Sequence, residues 1–185
     1  MDRAPRLDAF IERFGLLLGE ARNEAAIFRD GAPLLAELVR NDDWLPARFG
    51  RSPQQGYAQY LLHCDPRQRF CVVSFAWAPG ARTPIHDHTV WGMVAVKRGA
   101  ENCYEYDLPR PGAALRPKGQ HLLPVGSIDR VSPTIGDVHV VENALADRPS
   151  LSIHVYGGDI GRIARHVFDP QTGEAKPFVS GYSNA

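Results

Sequence analysis

The sequence predicts a mainly β fold, a β-barrel with an N-terminal helical cap, formed as a single domain over residues 1–185. Apolar residues recur at helical spacing over about the first 40 positions, and short alternating runs begin near Tyr57. Gly and Pro then separate many short strands without clustering into a linker. We therefore expect the cap in residues 1–50 and the barrel in residues 57–170.

The cap is predicted to contain three helices. Asp30-Gly31 predicts a break, so that a short second helix around residues 25–27 is followed by a third that begins at Pro33. The first helix has an apolar face with steps of three and four residues, made of Leu7, Phe10, Ile11, Phe14, Leu17 and Leu18.

Two later segments alternate with the period of a strand. Residues 70–77 form the first, and residues 151–157 form the second, with Ser152, His154 and Tyr156 on one face. That polar face would lie in water if the strand were half-exposed, or line a cavity if the barrel encloses one. The pattern alone favours the exposed strand.

Composition excludes several classes of partner. Lys plus Arg and Asp plus Glu each number 21, so the formal net charge is zero and no basic excess is left for a nucleic acid. No apolar stretch reaches the roughly 20 residues of a membrane helix, and the first residues lack the apolar segment of a signal peptide. We expect a soluble cytoplasmic protein with no membrane partner, either a monomer or a weak homo-oligomer.

A histidine pair is the main candidate for metal binding. His86 and His88 follow Thr83-Pro84-Ile85 in a segment predicted as a strand, where residues two apart project from the same face. A third ligand must arrive from another strand, and His139, which follows a glycine turn and opens a Val-rich strand, is the best candidate. On its own, such a pair is more often a coincidence than a metal site.

The spacing around these histidines resembles the two sequence motifs of the cupin superfamily, which implies a jelly-roll β-barrel. The matching segments are Gly80-x5-His86-x-His88-x3-Gly92-x6-Gly99 and Gly126-x6-Pro133-x2-Gly136-x2-His139-x3-Asn143. Gly92 stands where most cupins carry a glutamate ligand. Three neutral imidazoles would leave a ferrous ion its full charge, which favours an anionic ligand such as a substrate thiolate.

From Tyr57 to about Asp169 the chain is also similar to the thiol dioxygenases, the cysteine dioxygenase family within the cupins. The similarity rests on residues 83–88, on the absence of the cupin glutamate at position 92, on His139, and on the polar face of residues 152–156. It implies one Fe(2+) per chain held by His86, His88 and His139. It also implies that Tyr156, fixed by His154 and Ser152, acts as an acid or hydrogen-bond donor.

Two positions bear on the substrate. Arg165 resembles the carboxylate-binding arginine of bacterial members that prefer 3-mercaptopropionate, and Gln59 lies where cysteine-preferring members carry an arginine. The resemblance thus implies oxidation of a small thiol carboxylate by O2 to a sulfinate, with 3-mercaptopropionate favoured over cysteine or mercaptosuccinate. Without the resemblance, Arg165 reads as a solvated charge and Gln59 as a strand residue. A zinc or manganese cupin and a non-enzymatic cupin that binds a small acid are the other classes.

The remaining reactive residues are expected to be structural. Cys64, Cys71 and Cys103 have no paired spacing and are predicted to be reduced thiols packed in strands. Mammalian family members link a cysteine to the active-site tyrosine, but residues 91–94 contain no cysteine, so Tyr156 is expected to be unmodified. His63, His121 and His166 are predicted to be structural or exposed.

Overall fold

The computed structural model describes residues 4–21 and 23–184. Within these ranges the chain forms two α-helices, a short 3₁₀ helix at Ala47–Gly50 and ten β-strands. The helices are α1 (Pro5–Glu20) and α2 (Glu24–Val39). The strands are β1 (Tyr57–Cys64), β2 (Cys71–Trp77), β3 (Gly92–Arg98), β4 (Ala100–Tyr106), β5 (Pro117–Pro124), β6 (Ile128–Val131), β7 (His139–Asn143), β8 (Ser150–Tyr156), β9 (Arg165–Phe168) and β10 (Ala175–Phe178).

The helical cap contains two helices, so the predicted break at Asp30-Gly31 is wrong. A Cβ atom at Gly31 would lie 2.8 Å from Phe14 Cε2 and 2.9 Å from Met93 Cε, so the glycine permits close approach of α2 to α1 and β3. Pro33 removes one backbone donor from the helix interior, yet α2 continues through it. Tertiary packing of the buried face of α2 overrides both local signals.

The two helices cover the outer face of the larger sheet. Lys97 of β3 ties the end of α2 to this sheet, because its Nζ donates to the carbonyl groups of Val39 and Asn41 at 3.3 and 2.5 Å. A hydrophobic core lies between the two helices and the larger sheet. Its apolar side chains come from α1, α2, the segment after α2, and strands β2, β3 and β8: Leu7, Phe10, Phe14, Phe28, Leu35, Leu38, Trp44, Val72, Met93, Ile153 and Val155.

Two antiparallel sheets face each other. The larger has the order β1-β2-β8-β3-β6, and the smaller has the order β5-β4-β7. His86 forms isolated bridges with His139 of β7 and Val167 of β9, and this connects the β9–β10 pair to the smaller sheet. The arrangement is the cupin jelly roll, which confirms the predicted mainly β fold with a helical cap.

Two details differ from the expected barrel. Among the described residues, the hydrogen-bond ladders form separate facing sheets and do not close into one continuous barrel. Edge strand β1 is instead covered by the C-terminal segment, where the Ser183 N–H donates to the Gln59 carbonyl at 2.7 Å. Residues 83–88 make isolated bridges and no regular strand, since Pro84 lacks a donor for a ladder.

Residues beyond 170 also belong to the folded structure. Strand β10 extends to Phe178 and pairs with β9. Neither helix in residues 4–21 and 23–184 has the length and apolar character needed to cross a bilayer.

Candidate functional site

A cavity of about 210 Å³ lies between the two sheets. Seven of the eight predicted site residues line it, and Ser152 is buried behind one of them. The lining side chains that can bind a ligand or a metal are Tyr57, Gln59, Thr83, His86, His88, His139, His154, Tyr156, Arg165 and Ser180.

Three histidines converge on one point of this cavity. One ligand atom from each of His86, His88 and His139 lies within 4.8 Å of the others, and the three rings have centroids 4.8 to 4.9 Å apart. Reciprocal backbone hydrogen bonds of 3.0 Å hold His86 opposite His139. His88 reaches the same point although its segment is not a regular strand.

The ring nitrogens are oriented by groups outside the cavity. His86 Nδ1 donates to the Pro84 carbonyl at 3.0 Å, and His88 Nδ1 donates to Asp137 Oδ1 at 2.8 Å. His139 Nδ1 lies 3.4 Å from Cys103 Sγ. These contacts leave the Nε2 atoms for a shared ion, and His139 Nε2 is buried with no hydrogen-bond partner.

Burial keeps the three imidazoles neutral. It lowers the pKa of His86 to about 4, and it lowers the pKa values of His88 and His139 well below the usual value. The nearby positive charge of Arg165 lowers the pKa values of His86 and His88 further. A neutral imidazole with a free Nε2 is the form that ligates a metal, so the three residues fit a divalent transition-metal ion.

Ser152, His154 and Tyr156 form a hydrogen-bonded triad along the inward face of β8. Ser152 Oγ and His154 Nε2 are 2.8 Å apart, and His154 Nδ1 and the Tyr156 hydroxyl are also 2.8 Å apart. The Trp77 indole donates to Ser152 Oγ at 3.1 Å. Burial lowers the pKa of His154 to about 3 and raises that of Tyr156, so both are neutral. The triad is therefore enclosed and does not form the water-facing surface of a half-exposed strand.

Gly92 explains how the Tyr156 ring lies beside the three clustered histidines. A Cβ atom at Gly92 would lie 2.8 Å from Tyr156 Cδ1 and 3.0 Å from Val131 Cγ2. The tyrosine ring thus occupies the space that any larger side chain at position 92 would take. It stacks against His88 with ring centroids 5.3 Å apart.

Arg165 is buried, with 5% of its surface exposed, and is not a solvated charge. Its Nη2 donates to Ser180 Oγ at 2.8 Å, and its Cζ lies 4.7 Å from the centroid of the Phe178 ring. Arg165 Nε is buried with no partner. Gln59 Nε2 donates to the same Ser180 hydroxyl at 3.2 Å and to the Gly181 carbonyl at 3.1 Å. The site therefore offers an unsatisfied donor where an anion would be held.

Two residues that contact the predicted site side chains, Asp137 and Ser180, were not predicted from the sequence. Asp137 accepts a hydrogen bond from the His88 ring at 2.8 Å. It also accepts hydrogen bonds from the backbone N–H groups of His88 and Thr89 at 3.0 and 2.9 Å. The sequence offered a signal for Asp137, because it is an acidic residue two positions before the candidate ligand His139 and lies inside the second motif. Ser180 lies in a polar terminal stretch and had no such signal.

The other histidines and the cysteines lie outside the cavity. His166 Nδ1 contacts Asp87 Oδ2 at 2.8 Å, and His121 Nε2 contacts Asp129 Oδ2 at 3.2 Å. Cys71 and Cys103 are buried and Cys64 is partly buried, all three as free thiols. Burial raises the pKa of Cys71 to about 12 and also raises that of Cys103, so neither is a reactive thiolate.

Comparisons with known proteins give one family match and several structural likenesses. The profile of a family described as cysteine dioxygenase type I matches residues 34–169. The chain is similar to a protein with a double-stranded β-helix domain from Klebsiella pneumoniae, with 14% identity, a TM-score of 0.49 and coverage of 74% of this chain and 97% of that one. It is also similar to a cupin-like protein from Thermotoga maritima, with 20% identity, a TM-score of 0.46 and coverage of 63% and 80%.

Proposed function

Because the chain belongs to the cysteine dioxygenase type I family, we propose that it is an Fe(II)-dependent dioxygenase that converts 3-mercaptopropionate to its sulfinate. The observation that supports this best is the arrangement of three neutral imidazoles, of which His139 has an unpaired Nε2, in one cavity with a buried arginine that has an unpaired donor. The reaction adds both atoms of O2 to the sulfur, so that RSH and O2 give RSO2⁻ and H⁺ with no further reductant.

Fe(II) held by His86, His88 and His139 would supply the redox chemistry that joins oxygen to sulfur and would favour the thiolate form of the substrate. The side chains of the protein hold the substrate in position. Arg165 receives the substrate carboxylate through its free Nε and a neighbouring N–H, which directs the thiol end toward the histidines. The buried apolar wall, which includes Phe75 and Trp77, excludes water from the reacting atoms.

The charges around the cavity favour a thiol with one carboxylate and no amine. Among the cavity-lining residues that the structure describes, none is an Asp or a Glu, and Arg165 is the only Lys or Arg. The ammonium group of cysteine would be buried beside Arg165 without an acidic partner, which is costly. The second carboxylate of mercaptosuccinate would find no second Lys or Arg among the described lining residues. 3-Mercaptopropionate presents one carboxylate to Arg165 and has no ammonium group to bury.

Tyr156 provides a hydrogen-bond donor close to the histidines. Its ring stacks on His88, and its hydroxyl is held by His154 in the triad. Since burial raises its pKa, the hydroxyl keeps its proton at neutral pH. Tyr156 therefore holds a proton at Oη and can donate it in a hydrogen bond to the substrate or to oxygen that approaches the sulfur.

A panel of thiols tests this function. Oxygen uptake by the iron-loaded protein would be measured with 3-mercaptopropionate, cysteine, mercaptosuccinate and cysteamine, and sulfinate would be identified by mass spectrometry. We expect kcat/KM for 3-mercaptopropionate to exceed the others by about tenfold or more. His139→Ala and the zinc-loaded protein should consume no oxygen.

The panel separates two kinds of failure. A preference for cysteine would overturn the substrate assignment, and with it the argument from unpaired charges. Absence of thiol-dependent oxygen uptake in the iron-loaded protein would overturn the dioxygenase itself. Ligand-induced stabilisation without any sulfinate would instead favour a binding protein.

A further inference from the structure

A second cluster of potential metal ligands lies outside the cavity that holds the three histidines. It consists of Cys103 on β4, His121 on β5 and Asp129 on β6. One ligand atom from each residue, the sulfur in the case of Cys103, lies within 4.8 Å of the other two. Within the part of the chain that the structure describes, this is the only other group of three such side chains.

Strand pairing brings the three residues together. Cys103 and His121 are direct cross-strand partners in the β4–β5 pair, so their side chains project from the same face. Asp129 comes from β6 of the larger sheet, and its Oδ2 lies 3.2 Å from His121 Nε2. The Arg130 N–H donates to Asp129 Oδ1 at 2.8 Å and orients the carboxylate. The cluster therefore lies where the edges of the two sheets meet.

This cluster is separate from the three-histidine site. Cys103 Sγ lies 3.4 Å from His139 Nδ1, whereas the Nε2 atom of that ring is the one without a partner. Cys103 thus contacts the side of the imidazole that faces away from the proposed iron. Cys103, His121 and Asp129 are absent from the described lining of the substrate cavity. An ion bound by these three residues would not share the iron position.

The three donor types select a particular class of ion. A thiolate sulfur, an imidazole nitrogen and a carboxylate oxygen are all ligands of Zn²⁺, and the sulfur favours Zn²⁺ over Fe²⁺. The ion replaces the proton of the Cys103 thiol, which leaves to solvent. The thiolate and the Asp129 carboxylate then balance both positive charges of the ion. Glu105 adds a further negative charge near the sulfur, which attracts a cation.

The surroundings have room for a fourth ligand. A cavity of about 140 Å³ is lined by Cys103 and Asp129, and it can admit a water molecule. Lys118 and Arg130 also line it. The Lys118 Nζ lies 3.9 Å from Glu105 Oε2, and Arg130 is exposed, so a carboxylate or solvent offsets each of these positive charges.

We propose that Cys103, His121 and Asp129 form a second metal site, which takes Zn²⁺ with water as the fourth ligand. A bound ion would tie β6 of the larger sheet to the β4–β5 pair of the smaller sheet. The His121 side chain is 37% exposed, which gives the ion a path from solvent. The site does not depend on thiol oxidation.

Co²⁺ distinguishes this site from the three-histidine site, because only a cobalt–thiolate bond gives a sulfur-to-metal charge-transfer band in the near ultraviolet. The metal-free full chain would be titrated with Co²⁺ without oxygen or substrate. We expect this band to develop and two Co²⁺ to bind per chain at saturation. Zn²⁺ should then remove the band by displacement. His86→Ala, which removes a ligand of the other site, should bind one Co²⁺ and keep the band.

Variants of the cluster locate the band. Cys103→Ser should abolish it, and His121→Ala should weaken Co²⁺ binding at this site by about tenfold or more. Two matched controls should keep both the band and the affinity. Cys64→Ser removes a different free thiol. His166→Ala removes a histidine that is also paired with a carboxylate, that of Asp87 at 2.8 Å, but lies outside the cluster.

Absence of the band in the wild type would overturn the proposal. So would a band that persists in Cys103→Ser, or one that forms at wild-type affinity in His121→Ala. The partly exposed His121 keeps the test valid if Cys103→Ser does not fold. No readout involves turnover, so a lack of oxygen uptake would refute the proposed function and leave the result for this site standing.

Discussion

At the scale of single residues, the site depends on side chains that are buried with one polar atom left unsatisfied. Arg165 Nε and His139 Nε2 are both enclosed and without partners. An unpaired buried polar atom costs about 1–3 kcal/mol, which a bound ligand would recover. The two residues line the same cavity, so one small molecule and one ion bound there could supply the missing partners.

Arg165→Lys should weaken binding of the substrate carboxylate. Lysine presents a point charge and loses the planar fork that holds a carboxylate with two hydrogen bonds. We expect KM for 3-mercaptopropionate to rise by about tenfold to a hundredfold, with a smaller change in kcat. Cysteamine oxidation, which involves no carboxylate, serves as the control. Equal losses with both thiols would contradict a role in carboxylate binding.

Gly92→Ala should displace Tyr156. The added Cβ would meet the tyrosine ring at 2.8 Å on the inner side of β3, where Val131 limits relaxation. We expect a loss of about 1–3 kcal/mol in the free energy of unfolding, measured by urea denaturation, together with a reduced kcat. Gly19→Ala is the matched control, because no atom lies within 4 Å of its added Cβ. Wild-type kcat in Gly92→Ala would argue against the assigned position of the ring.

At the scale of elements, the C-terminal segment completes the cavity. Phe178 at the end of β10 and Ser180 beyond it both line the cavity. Ser183 accepts from the Gln59 N–H at 3.0 Å, and the Asn184 side chain accepts from the Leu61 N–H at 2.9 Å. These contacts fasten the segment to β1, so that Ser180 is held between Gln59 and Arg165.

Ser180→Ala should loosen Arg165 without unfolding the segment. The guanidinium loses its 2.8 Å hydrogen bond, and Gln59 loses one of its two acceptors. We expect KM for 3-mercaptopropionate to rise by about threefold to tenfold with kcat nearly unchanged. Ser183→Ala is the control, because Ser183 lies in the same segment and contacts the backbone of Gln59. This variant should lower the melting temperature and leave KM within about twofold of the wild-type value. Matching KM values in the two variants would show that Ser180 has no specific role.

At the scale of the whole molecule, a bound ion would join parts of the fold that are far apart in sequence. His86 and His88 lie in the segment between β2 and β3, whereas His139 begins β7. The β9–β10 pair, which carries Arg165, is attached through the bridge between His86 and Val167. Metal binding should therefore stabilise the folded chain as a unit.

Addition of Fe(II) under anaerobic conditions should raise the melting temperature. At about one hundred times the dissociation constant the gain is about 2.7 kcal/mol, which corresponds to roughly 5–10 °C for a chain of this length. His139→Ala should abolish the shift. His166→Ala should retain it, because that residue contacts Asp87 outside the cavity. An unchanged shift in His139→Ala would contradict the three-histidine site.

Local patterns in the sequence indicate much of the fold and of the candidate site. The alternation along β8 and the apolar face of α1 arise from backbone geometry within a few residues, so they can be recognised without the fold. His86 and His88 were recognised by their spacing, although their segment is not the regular strand that the spacing predicted. The motif spacings then indicate the cupin jelly roll and the family. The prediction of a helix break at Gly31 failed because close packing against Phe14 requires a glycine inside a continuous helix.

Only the tertiary structure determined which polar side chains are buried and which residues they contact. Asp137 beside His88, Ser180 beside Arg165 and Glu101 beside Ser150 are not neighbours in the chain, and no local pattern predicts these contacts. Burial is a sum over many distant neighbours, and burial is what holds the imidazoles neutral and raises the pKa of Glu101 to about 8. The sequence by itself therefore identified the candidate ligands, and the packing of the two sheets decided their charge and their partners.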